Sequence, residues 1–447
     1  LNNAQSKQTT LYIVLEQLKL NYHLQEVRMY RFYFDESFHD RKIIIKENTI
    51  NTFSGNDIDS YVGFFWGASN SVADRVIKDF EELEGEYKKI LGIEGELKAT
   101  NFGKKNYDCG IRSFNRECFG FYSELFSVLD RPGVVFQYDV VSKIEQLLLQ
   151  IFDFSFPENR EVIMKYGIQP RHFIYSLAKF FCTYKNEELI SALYNVEVAG
   201  DSQEFKICLI RQLRTICKAI TGIERKELEL ASYRQMIFIL ANLKVHVKGT
   251  KKVGFSYAPN FEGLTRLLKE LHIKPKSVAL TIDEEAKTIE TAKKYSFGSV
   301  TGASSATCSA VRISDHLSNF VGRFIYAFQN DKGMKEDPVA DISQIEENDL
   351  VTKRLLSDEW FELSKEQFEL YCKIAKVLII DHQQYWTALT GIYFDSVVSF
   401  AELFKFFYYI GDYNTFCQSD KKMMKEYLNS QICMTMQERH KMKGAMS

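Results

Sequence analysis

The sequence predicts an α/β protein, and three stretches predict it. Residues 29–37, MYRFYFDES, alternate apolar and polar side chains and stop at an acidic pair, the pattern of a strand. Residues 71–92 place Val72, Val76, Ile77, Phe80, Leu83, Tyr87 and Ile90 at helical spacing. The mixture returns at 261–288, FEGLTRLLKELHIKPKSVALTIDEEAKT, as a helix, a Lys-Pro-Lys turn and a strand ending at Ile282 and Asp283.

Taken in order, residues 11–20, LYIVLEQLKL, form a short opening helix or strand. The strand at 29–37 follows, then one at 41–47, RKIIIKE, across a turn with His39 and Asp40, then one at 61–69, YVGFFWGAS. Short connections make these three a hairpin meander. Ser69 or Asn70 caps the long helix. GELKATNFG at 95–103 breaks its periodicity, a further helix spans about 111–129, and the turn Arg131–Pro132–Gly133 leads to a strand at 134–141, VVFQYDVV. From 142 to 257 the chain is nearly all helix-like, with room for one or two strands in 238–257. A helix near 284–294 and a Gly/Ser/Thr-rich loop, FGSVTGASSATCSA, precede a helix whose apolar face holds Ile313, Leu317, Phe320, Val321, Phe324 and Ile325. Helical pattern resumes at about 336 and forms a bundle of its own.

The pattern divides the chain into an N-terminal helical extension (1–27), a sheet domain in two parts (28–141 and 258–335), a mainly helical insertion (142–257) and a C-terminal helical domain (336–447). The alternative, which hydrophobic pattern alone leaves open, is that the two sheet parts are separate small domains.

A formal charge of -2 confines any nucleic-acid surface to local patches, of which Lys104–Lys105 with Arg112 and Lys248, Lys251 and Lys252 are the candidates. Nine cysteines without a CxxC pair read as reduced thiols of a cytoplasmic protein. The first residues lack the basic-then-apolar order of a signal peptide. The most apolar stretch, 386–409, is interrupted by Asp395, Glu402 and Lys405, so a buried helix is expected and no membrane span. Nucleotide-loop, dinucleotide, HExxH and GxSxG motifs do not occur.

Four acids stand out on this map. Asp35 and Asp283 each end a strand, Glu96 follows a long helix, and Asp315 lies in the first turn of a late helix. Carboxylates at strand ends converge at one edge of an α/β sheet, where ligands commonly bind. Such a set repels itself unless protons or cations occupy it, and an all-oxygen set suits Mg²⁺ or Mn²⁺. Two ions about 4 Å apart would activate an attacking oxygen and stabilise the leaving oxygen of a phosphodiester. Glu36, His39, Lys98 and His316 are the supporting candidates, the lysine for charge and the histidines for proton transfer.

FYFDES (32–37), GELKAT (95–100), VALTIDE (278–284) and RISDHLSNFVGRFIYA (312–327) together resemble the ordered motifs of the family catalogued as domain of unknown function 3800. That family is similar to the ribonuclease H superfamily. The resemblance implies a ribonuclease H-like mixed sheet with a large helical insertion and a C-terminal helical bundle. It also implies two divalent ions held by Asp35, Glu96, Asp283 and Asp315, with Asp35 shared. Asp139 competes with Asp283 as the acid of the fourth strand, and Phe38 stands where the family often has Gly.

The leading expectation is therefore a metal-dependent nuclease acting on DNA or RNA, or a related phosphodiester-processing enzyme. The alternative is a catalytically inactive ribonuclease H-like scaffold that binds a protein partner or forms a homo-oligomer through its helical regions. A third reading is another metal-dependent hydrolase or transferase acting on nucleotides.

Overall fold

The computed structural model describes residues 29–37, 45–46, 49–50, 60–245, 256–331, 355–381, 386–388 and 391–445. The expected opening element at 11–20 lies outside these, as do His39 and the lysines at 248, 251 and 252.

The chain folds as a mixed α/β protein. Its main sheet contains β1 (Tyr30–Ser37), β4 (Ser60–Ser69), β5 (Val135–Ser142), β6 (Val278–Asp283), β7 (Ser299–Ala303) and β8 (Trp386–Ala388), in the order β7-β6-β1-β4-β5-β8. β1 pairs antiparallel with β4 from Tyr30↔Ser69 to Ser37↔Val62, and β4 pairs antiparallel with β5. β6 adds parallel to β1, and β7 parallel to β6. The expected second strand of a meander does not enter this sheet. Instead β2 (Ile45–Lys46) and β3 (Thr49–Ile50) form a separate two-stranded ribbon, and β4 takes the place beside β1.

β1 is buried on both faces, so period-two alternation here sorts side chains between two cores. Phe32 and Phe34 face one side, where Phe34 meets Phe261 of α9 (Ala258–Glu270) with ring centroids 5.7 Å apart. Tyr33 faces the other and stacks on Trp66 at 4.8 Å. On that second side α11 (Ser309–Asn330) crosses the sheet, buried through Ile313, Leu317, Phe320, Val321 and Phe324. It is anchored by Trp66 Nε1 donating to the Ala310 carbonyl at 2.8 Å and Ser314 Oγ donating to the Tyr33 carbonyl at 3.1 Å. The long helix α1 (Asn70–Leu91) and α2 (Arg116–Leu129) complete this layer.

Between β5 and α9 the chain forms α3 (Lys143–Ile151), α4 (Pro157–Met164), α5 (Pro170–Tyr184), α6 (Glu187–Ala199), α7 (Ser202–Ile220) and α8 (Glu227–Asn242), which bury an apolar cluster of their own. α10 (Ala286–Ala292) joins β6 to β7. After α11 come α12 (Lys365–Ile374), α13 (Gly391–Ile410), α14 (Tyr413–Gln418) and α15 (Lys421–Ala445). These last helices share the core of the sheet. Phe400 of α13 lies 6.2 Å from Tyr138 and 5.8 Å from Phe324 between ring centroids. The apolar stretch at 386–409 supplies β8 and most of α13, and among the described residues no helix is long and apolar enough to cross a membrane.

α9 approaches the sheet unusually closely at two glycines. A Cβ at Gly263 would fall 2.3 Å from Asp139 Oδ1, and one at Gly63 would fall 1.7 Å from Asn260 Nδ2. Neither site has room for a side chain without movement of a buried polar neighbour.

Candidate functional site

Asp35 sits near the C-terminal end of β1, on the face covered by α11, and is 8% exposed. Its Oδ1 accepts from the Glu36 backbone N–H at 2.8 Å. Burial pushes its carboxyl well above the usual range, and the nearby charges of Asp315, Glu36 and Asp283 push it further. Asp35 therefore holds a proton far more readily than a surface aspartate.

Asp315 is the seventh residue of α11 and lies in its second turn, not in the first turn that the sequence suggested. Compensation of the helix dipole is thus not its role, because that effect fades after the first turn. One oxygen accepts from the Ala99 backbone N–H at 3.1 Å and the other from Asn319 Nδ2 at 2.9 Å. Burial raises its carboxyl too, against the opposing pull of Ala99, Lys98 and Asn319.

Asp283 ends β6, beside β1 in the parallel register that pairs Phe34 with Ile282, and its Oδ1 accepts from the Ser305 N–H at 3.1 Å. Glu96 lies in the irregular chain after α1, where its Oε1 meets Lys98 Nζ at 2.6 Å. That ion pair, with the charges of Asp315 and Asp283, raises the Lys98 ammonium. The four acids and Lys98 thus share one end of the sheet.

The supporting candidates separate. Glu36 follows Asp35 and projects from the opposite face of β1, where its Oε1 accepts from Tyr257 Oη at 3.3 Å. Asp139 occupies that same opposite face, since both Glu36 and Asp139 pair with Gly63 across the sheet. It is wholly buried and accepts from Gln137 Nε2 at 3.0 Å, so it does not stand in for Asp283. His316 points into an aromatic core, 4.6 Å from the Phe121 ring, with Nε2 3.0 Å from the Leu97 carbonyl oxygen. Burial pulls it down to about 4, so it is neutral near pH 7.

Three contributors had no distinctive sequence signal. Ser37 Oγ and Ser318 Oγ lie 2.5 Å apart, and Asn319 Nδ2 donates to Ser37 Oγ at 2.6 Å. They tie the end of β1 to α11 directly beneath the acids. The i,i+4 spacing of Asp315 and Asn319 was the only legible hint.

The metal expectation is overturned. Among the described residues no group of three or more His, Cys, Asp or Glu side chains could hold a metal ion. The acids share a field without forming a ligand cage: both oxygens of Asp315 and one each of Asp35, Asp283 and Glu96 are turned to the Ala99, Glu36 and Ser305 N–H groups, to Asn319 and to Lys98. The residues do not fit Mg²⁺ or Mn²⁺. With the ions go the two-metal site, the metal-dependent nuclease or related phosphodiester-processing enzyme, and the metal-dependent hydrolase.

A pocket of about 370 Å³ lies elsewhere, between Leu355–Asp358 and the first turn of α15. Its lysines are engaged, Lys421 with Glu362 at 2.9 Å and Lys425 with Asp358. No protein-family model, curated protein or solved structure matches the chain.

Proposed function

We propose that this chain is a scaffold that binds a protein partner through its C-terminal helices, built on a ribonuclease H-like sheet. The strand order supports the sheet reading. In chain order, three antiparallel strands (β1, β4, β5) are joined by two parallel additions (β6, β7) on the far side of β1. Asp35, Asp283 and Asp315 then fall on the first strand, the fourth strand of this set and the late helix, the places that the resemblance to domain of unknown function 3800 assigns them. The nine free thiols fit a reducing, cytoplasmic setting.

One observation carries the functional reading. On α15, Met423, Tyr427 and Met434 are 69%, 58% and 51% exposed. At about 100° per residue they fall within about 40° of one another, on one flank of the helix, with the exposed Ser430 between Tyr427 and Met434. Tyr427 meets Phe406 of α13 at 6.3 Å between ring centroids, and Tyr409, one turn further along α13, is 66% exposed. The opposite flank of α15 buries Met424 and Leu428 against the body, so the stripe is not what holds the helix in place. An aromatic and methionine stripe on a docked helix suits a partner with an apolar groove.

The test is affinity capture with the whole chain, followed by reconstitution with the purified captured protein. Binding that is lost in the double variant M423S/Y427S and kept in D35N supports the proposal. Binding unchanged in M423S/Y427S overturns it.

A further inference from the structure

We propose that β7 is a self-association edge: it pairs antiparallel, about a two-fold axis, with β7 of a second copy of this chain. This uses a different surface from the partner-binding stripe and does not rest on it.

β7 closes one end of the main sheet. It pairs with β6 on its inner side and, among the described residues, with no strand on its outer side. Such an edge offers a row of backbone donors and acceptors to another strand, and proteins that avoid pairing guard it with lysine, proline or a bulge. Here residues 296–310, SFGSVTGASSATCSA, contain neither charge nor proline, and Ser299, Thr301 and Gly302 are exposed.

The strand is complementary to itself. With the axis at Thr301, antiparallel pairing sets Val300 opposite Gly302 and Ser299 opposite Ala303. Val300 and Gly302 belong to the face toward α10, where a Cβ at Gly302 would fall 2.8 Å from Ile289 Cδ1. Ile289 already fills the space over Gly302, so this residue presents bare backbone to the other copy. On the opposite face Thr301 Oγ1 lies 3.4 Å from Thr281 Oγ1. The axis would extend that pair into a row of four threonines, a favourable cross-strand arrangement.

Charge agrees with this orientation. α10 is preceded by Glu284 and Glu285 and followed by Lys293 and Lys294. A two-fold axis through the neighbouring strand sets the two copies of α10 antiparallel, acidic end toward basic end. A homodimer through one self-complementary patch is the commonest closed assembly.

The experiment measures the solution mass of the whole chain by light scattering as a function of concentration. The parent is expected to reach twice the 52.0 kDa of one chain. T301K and T301E, which place like charges opposite each other at the axis, should each raise the dimer dissociation constant at least about tenfold. An equal mixture of the two should regain the dimer, because opposite charges then meet. A T301C chain should form a 301–301 disulfide under mild oxidation, seen by peptide mapping, since directly opposed antiparallel residues bring Cα atoms about 4.5–5.5 Å apart. A parent that stays monomeric at every concentration overturns the proposal. So does a dimer that survives both T301K and T301E, or one that disappears only in M423S/Y427S. Partner binding lost in M423S/Y427S while the 301–301 link still forms separates the two surfaces.

Discussion

Two buried acids pack against α11, and they are solved in opposite ways. Glu84 of α1 is 3% exposed and meets a full set of partners: Arg312 at 2.6 Å, the Leu97 N–H at 3.2 Å and Lys88 at 3.4 Å. Burial alone would raise its carboxyl, but Arg312, Leu97 and Lys88 outweigh burial and hold it below the usual range. Asp35, 8% exposed, has one backbone donor and lies in the field of Asp315, Glu36 and Asp283, so burial and like charge act together and raise it. Burial by itself therefore does not say whether an acid is ionised. The neighbouring cation decides.

The largest expected effect comes from breaking the compensated side. R312M removes the guanidinium and leaves the buried Glu84 with only Lys88 and the Leu97 N–H, which should cost up to about 3–5 kcal/mol in urea unfolding. A loss under about 1 kcal/mol would mean that Glu84 is already solvated or protonated. Next in size is G263A, which drives a methyl group against Asp139, a third buried acid, which accepts from Gln137 on its own strand. Overpacking there should cost about 1–3 kcal/mol, and an unchanged melting temperature would show that α9 can lift off the sheet freely.

The uncompensated side should respond with the opposite sign. D35N removes a carboxyl whose ionisation is unfavourable in the folded state, so at pH 7 it should stabilise by on the order of 1 kcal/mol. The pH dependence sharpens the contrast. The folded Asp35 binds its proton more tightly than the unfolded one, so its contribution is harmless below an unfolded value of about 3.9 and turns against the fold as pH rises from there toward the raised folded value. Glu84 does the reverse: its contribution is present above its unfolded value and is lost as pH falls through the depressed folded one. Unfolding free energies at several pH values should show D35N with a smaller loss on the alkaline side, and E84Q with a smaller loss on the acid side. Identical profiles for D35N and the parent would remove Asp35 as an electrostatic liability. The smallest effect belongs to M423S/Y427S, which should change stability by less than about 1 kcal/mol, since both side chains are more than half exposed and only Tyr427 touches a core residue, Phe406. A larger loss would reassign the stripe from binding to packing.

The same contrast bears on what was legible beforehand. The strand at Asp35, the apolar spine of α11 and the strand ending at Asp283 each announce themselves in a few residues, because period two and period 3.6 are local properties of the chain. β7 is not announced. SVTGA is short and weakly apolar, and it reads as a loop until β6 supplies its ladder. The separation of β2 and β3 from the main sheet was equally hidden, since strand pattern does not name a partner. Within the site, the identities of Asp35, Glu96, Asp283 and Asp315 could be read, but their hydrogen bonds to Ala99, Ser305 and Asn319 could not, and those bonds turn the oxygens away from a common centre.

What the sequence determined by itself is the set of elements and the sidedness of each: which residues of β1 and α11 are buried, and that acids stand at strand ends. Only the tertiary structure decided that Asp139 falls on the far face from Asp35, that the last helices bury themselves on the sheet, and that one buried acid has a cation and another has none among the described residues. The physical reason is range. Periodicity acts over a few residues along the chain, whereas the state of a carboxyl depends on groups such as Arg312 and Asp315, which lie hundreds of positions away and arrive only when the sheet and helices pack.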